Sequence, residues 1–210
     1  DSPKYFLREN IYGPSTGNYL DNDERFVFFS RAVLEFLRQA GLSLDVIHCH
    51  NWPTALIPVF LQSHYREDLG LKSVATVLTL HNTAYQGEFP AESLALTELN
   101  WDFFSPRHLS LNGKFNFLQA GALYADLVNT VSSTYEKELL SKKNRTGLSG
   151  VLRKRRKAFM SVRNGIDRNV WDPEKDPYIA ANYGPGRTDG KATCKQDLIS
   201  VIGLATSAEM

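Results

Sequence analysis

The sequence predicts an α/β fold in which a parallel sheet is flanked by helices. Two observations support this prediction. Short apolar and β-branched runs alternate with stretches of helical periodicity along most of the 210 residues. One of these runs, residues 73–80, is apolar or β-branched almost throughout, which is typical of a buried parallel strand. Ligands of such sheets bind beyond the carboxyl ends of the strands, so the polar residues at those ends form the candidate site.

The first helix is predicted over residues 24–39, where apolar side chains recur at three- and four-residue spacing. Asp21 and Glu24 resemble a capping box, in which two side chains bond the free backbone N–H groups that begin a helix. Gly41 follows and is predicted to end the helix, because glycine readily adopts the left-handed conformation of a helix stop.

The rest of the chain alternates between the two kinds of element. Strands are predicted at residues 44–50, 73–80, 126–131 and 159–163. Helices are predicted at residues 54–65, 114–124 and 190–202, with a further helix after Ser132, a residue type suited to cap it. Residues 87–113 and 139–150 have no strong period and are predicted to be surface connections.

The composition is that of an ordinary globular protein. Hydrophobic residues make up 42% of the chain and charged residues 22%, and 24 basic side chains nearly balance 23 acidic ones. This balance gives no electrostatic basis for binding nucleic acid or an anionic membrane. The basic run 153–157 is expected to be a solvated helix end. No apolar run approaches the roughly 20 residues that a membrane span needs.

Cysteine and histidine usage predicts neither a disulfide nor a metal site. Cys49 and Cys194 lie far apart in sequence and give no disulfide framework and no zinc spacing. We expect His48 and His50 to point to opposite faces of their strand, which argues against a shared metal. Trp52, just beyond them, is expected to pack in the interior rather than to bind a ligand.

The strongest candidate site is the run HNTAYQG at residues 81–87, which follows the most strand-like segment of the chain. His81 and Asn82 offer hydrogen-bonding groups, and Tyr85 adds a flat face suited to a sugar ring. The spacing alone leaves a second interpretation open, in which His81 caps the strand and Asn82 bonds the backbone of the loop.

Other polar loops carry less information by themselves. The runs YGPSTGNY at residues 12–19 and NGID at residues 164–167 read on local evidence as a surface loop and a structural turn. The chain has no glycine-rich dinucleotide or phosphate loop and no G-x-S-x-G nucleophile motif. No pair of carboxylates stands out as the acid and base of a glycosidase.

Taken together, six segments in one order resemble the bacterial glycogen synthases and plant starch synthases. They are YLDNDERFVFFS (19–30), DVIHCHNW (45–52), LHNTAYQGEFP (80–90), NFLQAGALYAD (116–126), VSSTY (131–135) and NGIDRNVWDP (164–173). The resemblance covers nearly the whole chain, from about residue 12 to residue 204.

This resemblance implies a retaining glucosyltransferase of the two-domain GT-B fold, with this chain as part of its Rossmann-like N-terminal half. Such enzymes transfer glucose from a nucleotide sugar, usually ADP-glucose, to the non-reducing end of an α-1,4-glucan. ADP-glucose and UDP-glucose both remain open as donors. The family needs no metal, and no cofactor is expected. The implied compartment is the bacterial cytoplasm or the plastid stroma.

The resemblance also implies roles for residues of the HNTAYQG run. His81 matches the family histidine that contacts the donor glucose, and its backbone carbonyl faces the reacting carbon. Asn82 stands beside it in the same motif. Tyr85 and Gln86 belong to the same loop and are weaker candidates for contacts with the donor.

Three further residues match family positions near the donor. Tyr12 matches a tyrosine that lies near the nucleotide, and Asn164 matches the asparagine of the N-G-I/V-D motif that points toward the sugar. Asn51 stands where the family usually has aspartate, so a hydrogen-bond acceptor is kept and a negative charge is lost. Pro53 also replaces a residue that is usually polar or small.

The predicted organisation is a partial acceptor-side domain over residues 1–188 and the start of a linker over residues 189–210, leading to a missing nucleotide-binding domain. The family's Lys-x-Gly-Gly-Leu loop is also absent, and both ends of the chain suggest a piece of a longer protein. We therefore expect no synthase activity from this chain alone. Two alternatives remain: a non-catalytic glucan-binding or regulatory module, and another GT-B transferase of the sucrose synthase or phosphorylase type, which the HNTAYQG run disfavours.

Overall fold

The computed structural model describes residues 2–204, which fall into two compact units. The first unit ends at Arg163 and the second begins at Asn164. The first holds the sheets and six of the seven helices, and the second holds the last helix. The predicted domain division at residues 188 and 189 stays a prediction, and part of its second segment, residues 205–210, lies outside the described residues.

A four-stranded parallel sheet organises the first unit, as predicted. Its strands are β1 (Val46–His50), β2 (Ala75–Leu80), β6 (Leu127–Thr130) and β7 (Phe159–Ser161), in the spatial order β1-β2-β6-β7. All three pairings are parallel. The carboxyl ends of neighbouring strands therefore meet at one edge of the sheet, and Asn51, His81 and Asn82 directly follow the ends of β1 and β2.

The helices of the first unit are α1 (Pro3–Phe6), α2 (Asn22–Ala40), α3 (Leu56–Gln62), α4 (Phe117–Tyr124), α5 (Ser133–Leu140) and α6 (Ser149–Lys154). Short 3-10 turns lie at Trp52–Thr54, Ala91–Thr97, Trp101–Phe103 and Arg156–Ala158. Helix α3 is buried over nearly its whole length and packs between α2 and α4. The predicted cap of α5 is confirmed, because Ser132 Oγ accepts the N–H of Tyr135 at 3.2 Å.

The two faces of the parallel sheet differ in burial. Strand β1 alternates between exposed and buried residues, so that Ile47 and Cys49 join the core while Val46 remains half exposed. Strand β2 begins with an exposed alanine and ends fully buried. The expectation that the run 73–80 is buried on both faces therefore holds for the end of β2.

A small antiparallel sheet forms at the two ends of the segment 87–113, which was predicted to be a surface connection. Its strands are β3 (Glu88–Phe89), β4 (Ser110–Leu111) and β5 (Lys114–Asn116), in the order β3-β5-β4. Asn112 and Gly113 form the turn between β4 and β5 with φ of 53° and 77°. Two positive φ values are what a tight two-residue hairpin turn requires, and Asn-Gly is its preferred sequence. The predicted helix over 114–124 consequently begins only at Phe117.

The predicted end of α2 is confirmed, and Asp21 precedes its first residue as predicted, but the predicted capping box is wrong. Gly41 adopts the left-handed conformation with φ of 60°. Asp21 makes no capping hydrogen bond, because both of its carboxylate oxygens bind the guanidinium of Arg8 at 2.8 and 2.7 Å. Glu24 is likewise occupied by Lys4 and Tyr5. A long-range ion pair thus replaces the local capping box.

In the second unit, helix α7 spans Asp189–Ile202, as predicted, and ends at Gly203 in the left-handed conformation. None of the residues of α7 is buried. Among residues 2–204, no helix combines the length and the apolar character that crossing a membrane would require.

Candidate active site

A cleft of about 620 Å³ opens at the carboxyl ends of β1 and β2. We call it the strand-end cleft. Five of the predicted site residues line it: Tyr12, Asn51, Asn82, Tyr85 and Gln86. The sequence therefore placed these residues around one cavity, although they come from three separate segments of the chain.

Asn51 connects the ends of the two strands. Its backbone N–H donates to the carbonyl of Thr79 at 2.9 Å, which continues the ladder of the sheet by one step. Its side-chain Oδ1 accepts the N–H of His81 at 2.9 Å and approaches the N–H of Asn82 at 3.5 Å. A carboxylate oxygen could accept the same N–H groups, so the asparagine keeps this part of the family aspartate's geometry.

The backbone of Asn51 lies at φ 55° and ψ −169°. This region is populated essentially by glycine, and other residues hold it only where the surroundings enforce it. The bond from His81 N–H to the Asn51 side chain is one such restraint. Local strain at a strand end beside a cleft is typical of a functional site.

His81 is exposed and its backbone is held by Asn51. It is not among the residues that line the strand-end cleft, although Asn51 and its sequence neighbour Asn82 are. Its ring Nε2 lies 3.0 Å from Nδ1 of His50. Within residues 2–163, no other side-chain hydrogen bond to the His81 ring occurs, so Nδ1 is available to a ligand.

His48 and His50 lie on the same face of β1, with their ring centroids 4.2 Å apart. The expectation of opposite faces is wrong, because residues two apart in a strand share a face. Burial, followed by the neighbouring His48 and His81, lowers the pKa of His50 below its ordinary value. Among residues 2–204, no group of three or more metal-ligating side chains is present.

The side chains of the HNTAYQG run divide between the interior and the cleft. Asn82 Oδ1 accepts the N–H of Ala84 at 2.8 Å, so Asn82 does bond its own loop, as the second interpretation proposed. Tyr85 is 71% exposed and free to meet a ligand. The structural interpretation of the run is therefore confirmed for Asn82, and the ligand-binding interpretation stays a prediction.

Gln86 is a buried anchor at the base of the cleft. Its amide donates to the carbonyls of Thr83 at 3.1 Å and Thr146 at 2.8 Å, and its Oε1 accepts from Asn116 Nδ2 at 2.8 Å. Gly87 follows with φ of 64°, and a Cβ there would lie 2.5 Å from the Trp52 ring. The loop is therefore fixed from below while its outer residues face the cleft.

Tyr12 enters the cleft on a loop held by its own backbone. Its carbonyl accepts from the N–H of Tyr19 and from Asn22 Nδ2, both at 2.8 Å. Its ring lies 5.5 Å from that of Trp52, which in turn packs edge-on against Phe26. Trp52 is only 7% exposed, which confirms the packing prediction, although it also lines the cleft.

Asn164 is the first residue of the second unit and is exposed. Its place near the donor sugar stays a prediction.

The geometry agrees with what comparisons with known proteins find. The family model described as the starch synthase catalytic domain matches residues 1–154. The chain belongs to this family. The glycogen synthase of Thermodesulfovibrio yellowstonii is 48% identical over 205 residues, and that of Elusimicrobium minutum is 41% identical over 209 residues. These alignments cover 98% and 99% of the chain.

A solved structure of the same family is also similar. The catalytic domain of starch synthase IV from Arabidopsis thaliana, bound to ADP and acarbose, is 34% identical, with a TM-score of 0.74 over 99% of this chain. The fold class predicted from the sequence is confirmed by this match. The chain spans only about 41% of that structure and 41–43% of the two bacterial relatives.

Proposed function

We propose that the complete protein containing this chain is a retaining glucosyltransferase that transfers glucose from ADP-glucose to the non-reducing end of an α-1,4-glucan. Family membership supports the reaction class. The observation that supports the assignment to this site is the hydrogen bond from the exposed His81 to Asn51, a residue that lines one cleft together with Tyr12 and Tyr85. The ADP in the Arabidopsis structure supports ADP-glucose over UDP-glucose as the donor.

In this proposal, His81 is the catalytic residue of the chain. The Asn51 side chain fixes the His81 N–H, and with it the direction of the adjoining peptide carbonyls. A fixed carbonyl dipole directed at the anomeric carbon stabilises the positive charge that develops there only in the transition state. Tyr12 and Tyr85 supply flat faces on either side of the donor, while Asn82 and Asn164 supply amide groups to its hydroxyls.

The lining of the strand-end cleft also supports the proposal that catalysis requires residues from a second domain. Its lining within the first unit contains Glu88 but no lysine or arginine. A leaving nucleoside diphosphate needs fixed cations, which are usually a large part of catalysis of such transfers. We therefore propose that the nucleotide-binding domain supplies these cations and that the 210-residue chain alone does not turn over.

The same absence of cations favours a second candidate function. A cleft lined by aromatic rings and amides suits a neutral oligosaccharide, which makes the chain a candidate glucan-binding or regulatory module. The relatives come from bacteria and a plant, and the proposed compartment is accordingly the bacterial cytoplasm or the plastid stroma.

A glucose-incorporation assay tests the proposal. The complete protein should transfer radiolabelled glucose from ADP-glucose to glycogen, and His81→Ala should abolish this transfer. The isolated chain should give none, and turnover by it would contradict the proposed need for a second domain. A complete protein that binds malto-oligosaccharides in calorimetry but never transfers glucose would favour the binding module.

A further inference from the structure

A ladder of polar side chains crosses three strands of the parallel sheet and leads to the candidate catalytic residue. It begins at Asn129 on β6, continues through Thr79 on β2 and reaches His48 on β1. Thr79 Oγ1 donates its one hydrogen to Asn129 Oδ1 at 2.7 Å. It can therefore only accept from His48 Nε2, which lies 2.7 Å away, and this fixes the hydrogen of His48 on Nε2.

The ladder supports His50 from one side. The ring of His48 lies against that of His50 with a centroid distance of 4.2 Å and an interplanar angle of 34°. The backbone of His50 is also held, because its N–H donates to Thr54 Oγ1 at 2.7 Å and its carbonyl accepts from the same hydroxyl at 2.9 Å. His50 is therefore restrained in both its backbone and its ring plane, although it is exposed.

The consecutive residues His50 and Asn51 hold His81 at two points. Asn51 takes the backbone N–H, and Nδ1 of His50 lies 3.0 Å from Nε2 of the His81 ring. Two neutral imidazoles at this distance share one hydrogen, so the tautomer of one ring determines that of the other. The pair has two arrangements, one with the hydrogen of His81 on Nδ1 and one that leaves Nδ1 as an acceptor, and where one arrangement prevails Nδ1 has a single character toward a ligand.

We propose that His50 is a positioning residue for His81, because the single hydrogen between their rings fixes the tautomer and the ring plane that His81 presents to the donor sugar. The role of His81 toward a donor sugar rests on the proposed function, but the coupling of the two rings does not depend on it. His50 was not among the residues that the sequence assigned to the site.

The contact between the two rings depends on their protonation. An imidazolium can still donate to a neutral imidazole, so only protonation of both rings would place two N–H groups face to face and break the contact. The titratable groups that act on His50 are His48 and His81, and both disfavour its charged form, as does burial. These effects lower the pKa of His50 and extend the range in which the shared hydrogen persists.

The first test follows the tautomers directly in the 210-residue chain. Long-range proton–nitrogen NMR spectra of the imidazole rings distinguish the two tautomers of each of the five histidines. At neutral pH the wild-type chain should show a single tautomer for His81. In His50→Ala the His81 ring should show both, while His64→Ala, a residue bonded to the Thr97 carbonyl elsewhere, should leave it unchanged. A single, unchanged His81 tautomer in His50→Ala would overturn the proposal.

A conservative variant separates positioning from packing. The amide of asparagine can occupy the place of imidazole Nδ1, so His50→Asn should restore a single His81 tautomer, whereas His50→Ala should not. Backbone NMR spectra establish that both variants fold. If His50→Ala unfolds the chain, the comparison between wild type and His50→Asn still decides, because two His81 tautomers in the asparagine variant would contradict the proposed hydrogen bond.

The second test uses the complete protein. His50→Ala should lower kcat by about 10²-fold, because a catalytic group that is misplaced by about 1 Å loses that order of rate, and should leave the KM for glucan unchanged. His50→Asn should recover most of the loss. Unchanged kcat in His50→Ala would overturn the positioning role. A wild-type protein without transferase activity would refute the proposed function alone, because the NMR result stands independently of it.

Discussion

The two faces of the parallel sheet differ in burial and in the kind of residue that they carry. One face presents Ile47, Cys49 and Leu78 to the core, and all three are at most 9% exposed. The other face carries His48 and His50 and leaves Val46 50% exposed. The buried face holds the fold together through apolar packing. The open face holds the polar ladder from Asn129 to His48, and His50 lies beside its end. Apolar packing and the candidate chemistry are thus on opposite sides of a single layer of backbone.

The strongest test of this separation is a pair of neighbouring substitutions on β2. Leu78 is fully buried, and Leu78→Ala should lower the free energy of unfolding by about 2–5 kcal/mol, because it leaves a cavity. Val77 lies on the opposite face and is only half-buried, so Val77→Ala should cost about 1 kcal/mol. Urea unfolding of the 210-residue chain measures both. Equal losses would mean that the open face is packed as tightly as the other.

A smaller effect is expected from the polar ladder itself. Thr79→Val preserves shape but leaves His48 and the buried Asn129 without the hydroxyl between them, and should cost about 1–3 kcal/mol. Thr79→Ser keeps the hydroxyl and serves as the matched control, with a loss smaller than that of valine. The same urea titration applies. A valine variant as stable as the serine variant would show that the ladder does not contribute to stability.

Two opposing effects act on stability at Asn51, just beyond the end of β1. Its backbone conformation is unfavourable, and its side-chain hydrogen bond is favourable. Asn51→Ala loses the bond to His81 and keeps the unfavourable backbone, so we expect a loss of about 1–2 kcal/mol. Asn51→Gly also loses the bond but relieves the strain at φ 55°, and should be more stable than the alanine variant.

Asn51→Asp keeps an acceptor for the His81 N–H and is the control for these variants. Its stability should stay within about 0.5 kcal/mol of wild type, and in the complete protein it should not lower transfer. If the alanine variant were as stable as the glycine variant, the backbone at residue 51 would not be strained.

The elements that were predicted correctly are those with a hydrophobic pattern that extends over many consecutive residues. The apolar run of β2 and the helical stripe of α2 were sufficient for the parallel sheet and its first helix. The antiparallel sheet was missed because its strands have two or three residues, although Asn112-Gly113 is a strong hairpin signal. The capping box failed because Arg8, far from the helix start in sequence, competes for Asp21.

The sequence was sufficient to name most residues of the candidate site, but not the contacts between them. His81 was identified from a run that follows a strand, whereas Tyr12 and Asn51 were identified through the resemblance to the glycogen and starch synthases. The anchoring of Gln86 was not, because its partners Asn116 and Thr146 are 30 and 60 residues away. His50 was missed for a simpler reason. The two-residue spacing from His48 places both rings on one face of β1, and a correct interpretation of that spacing would have predicted the contact between His48 and His50.

The smallest predicted effect compares two adjacent residues on opposite faces, Cys49 and His50. Burial raises the pKa of the Cys49 thiol to about 12, so its contribution to stability is present below the ordinary thiol pKa and is lost as the pH rises. The pKa of His50 is lowered, so its contribution is present above the ordinary histidine pKa and is lost as the pH falls through the folded value. His50 should therefore contribute to the acid limb of the stability profile and Cys49 to the alkaline limb, beside other shifted groups such as Glu35 and Tyr65.

Urea midpoints measured between pH 5 and pH 10 test this assignment. His50→Asn removes a titrating ring and should flatten the acid limb alone, whereas Cys49→Ala should flatten the alkaline limb alone, at some cost in overall stability. Because the two side chains are neighbours in sequence, any general effect of mutating β1 would change both limbs in both variants. Because His50 and Cys49 lie on opposite faces of the strand, we expect the first substitution to change the pH dependence of stability only at acid pH and the second only at alkaline pH.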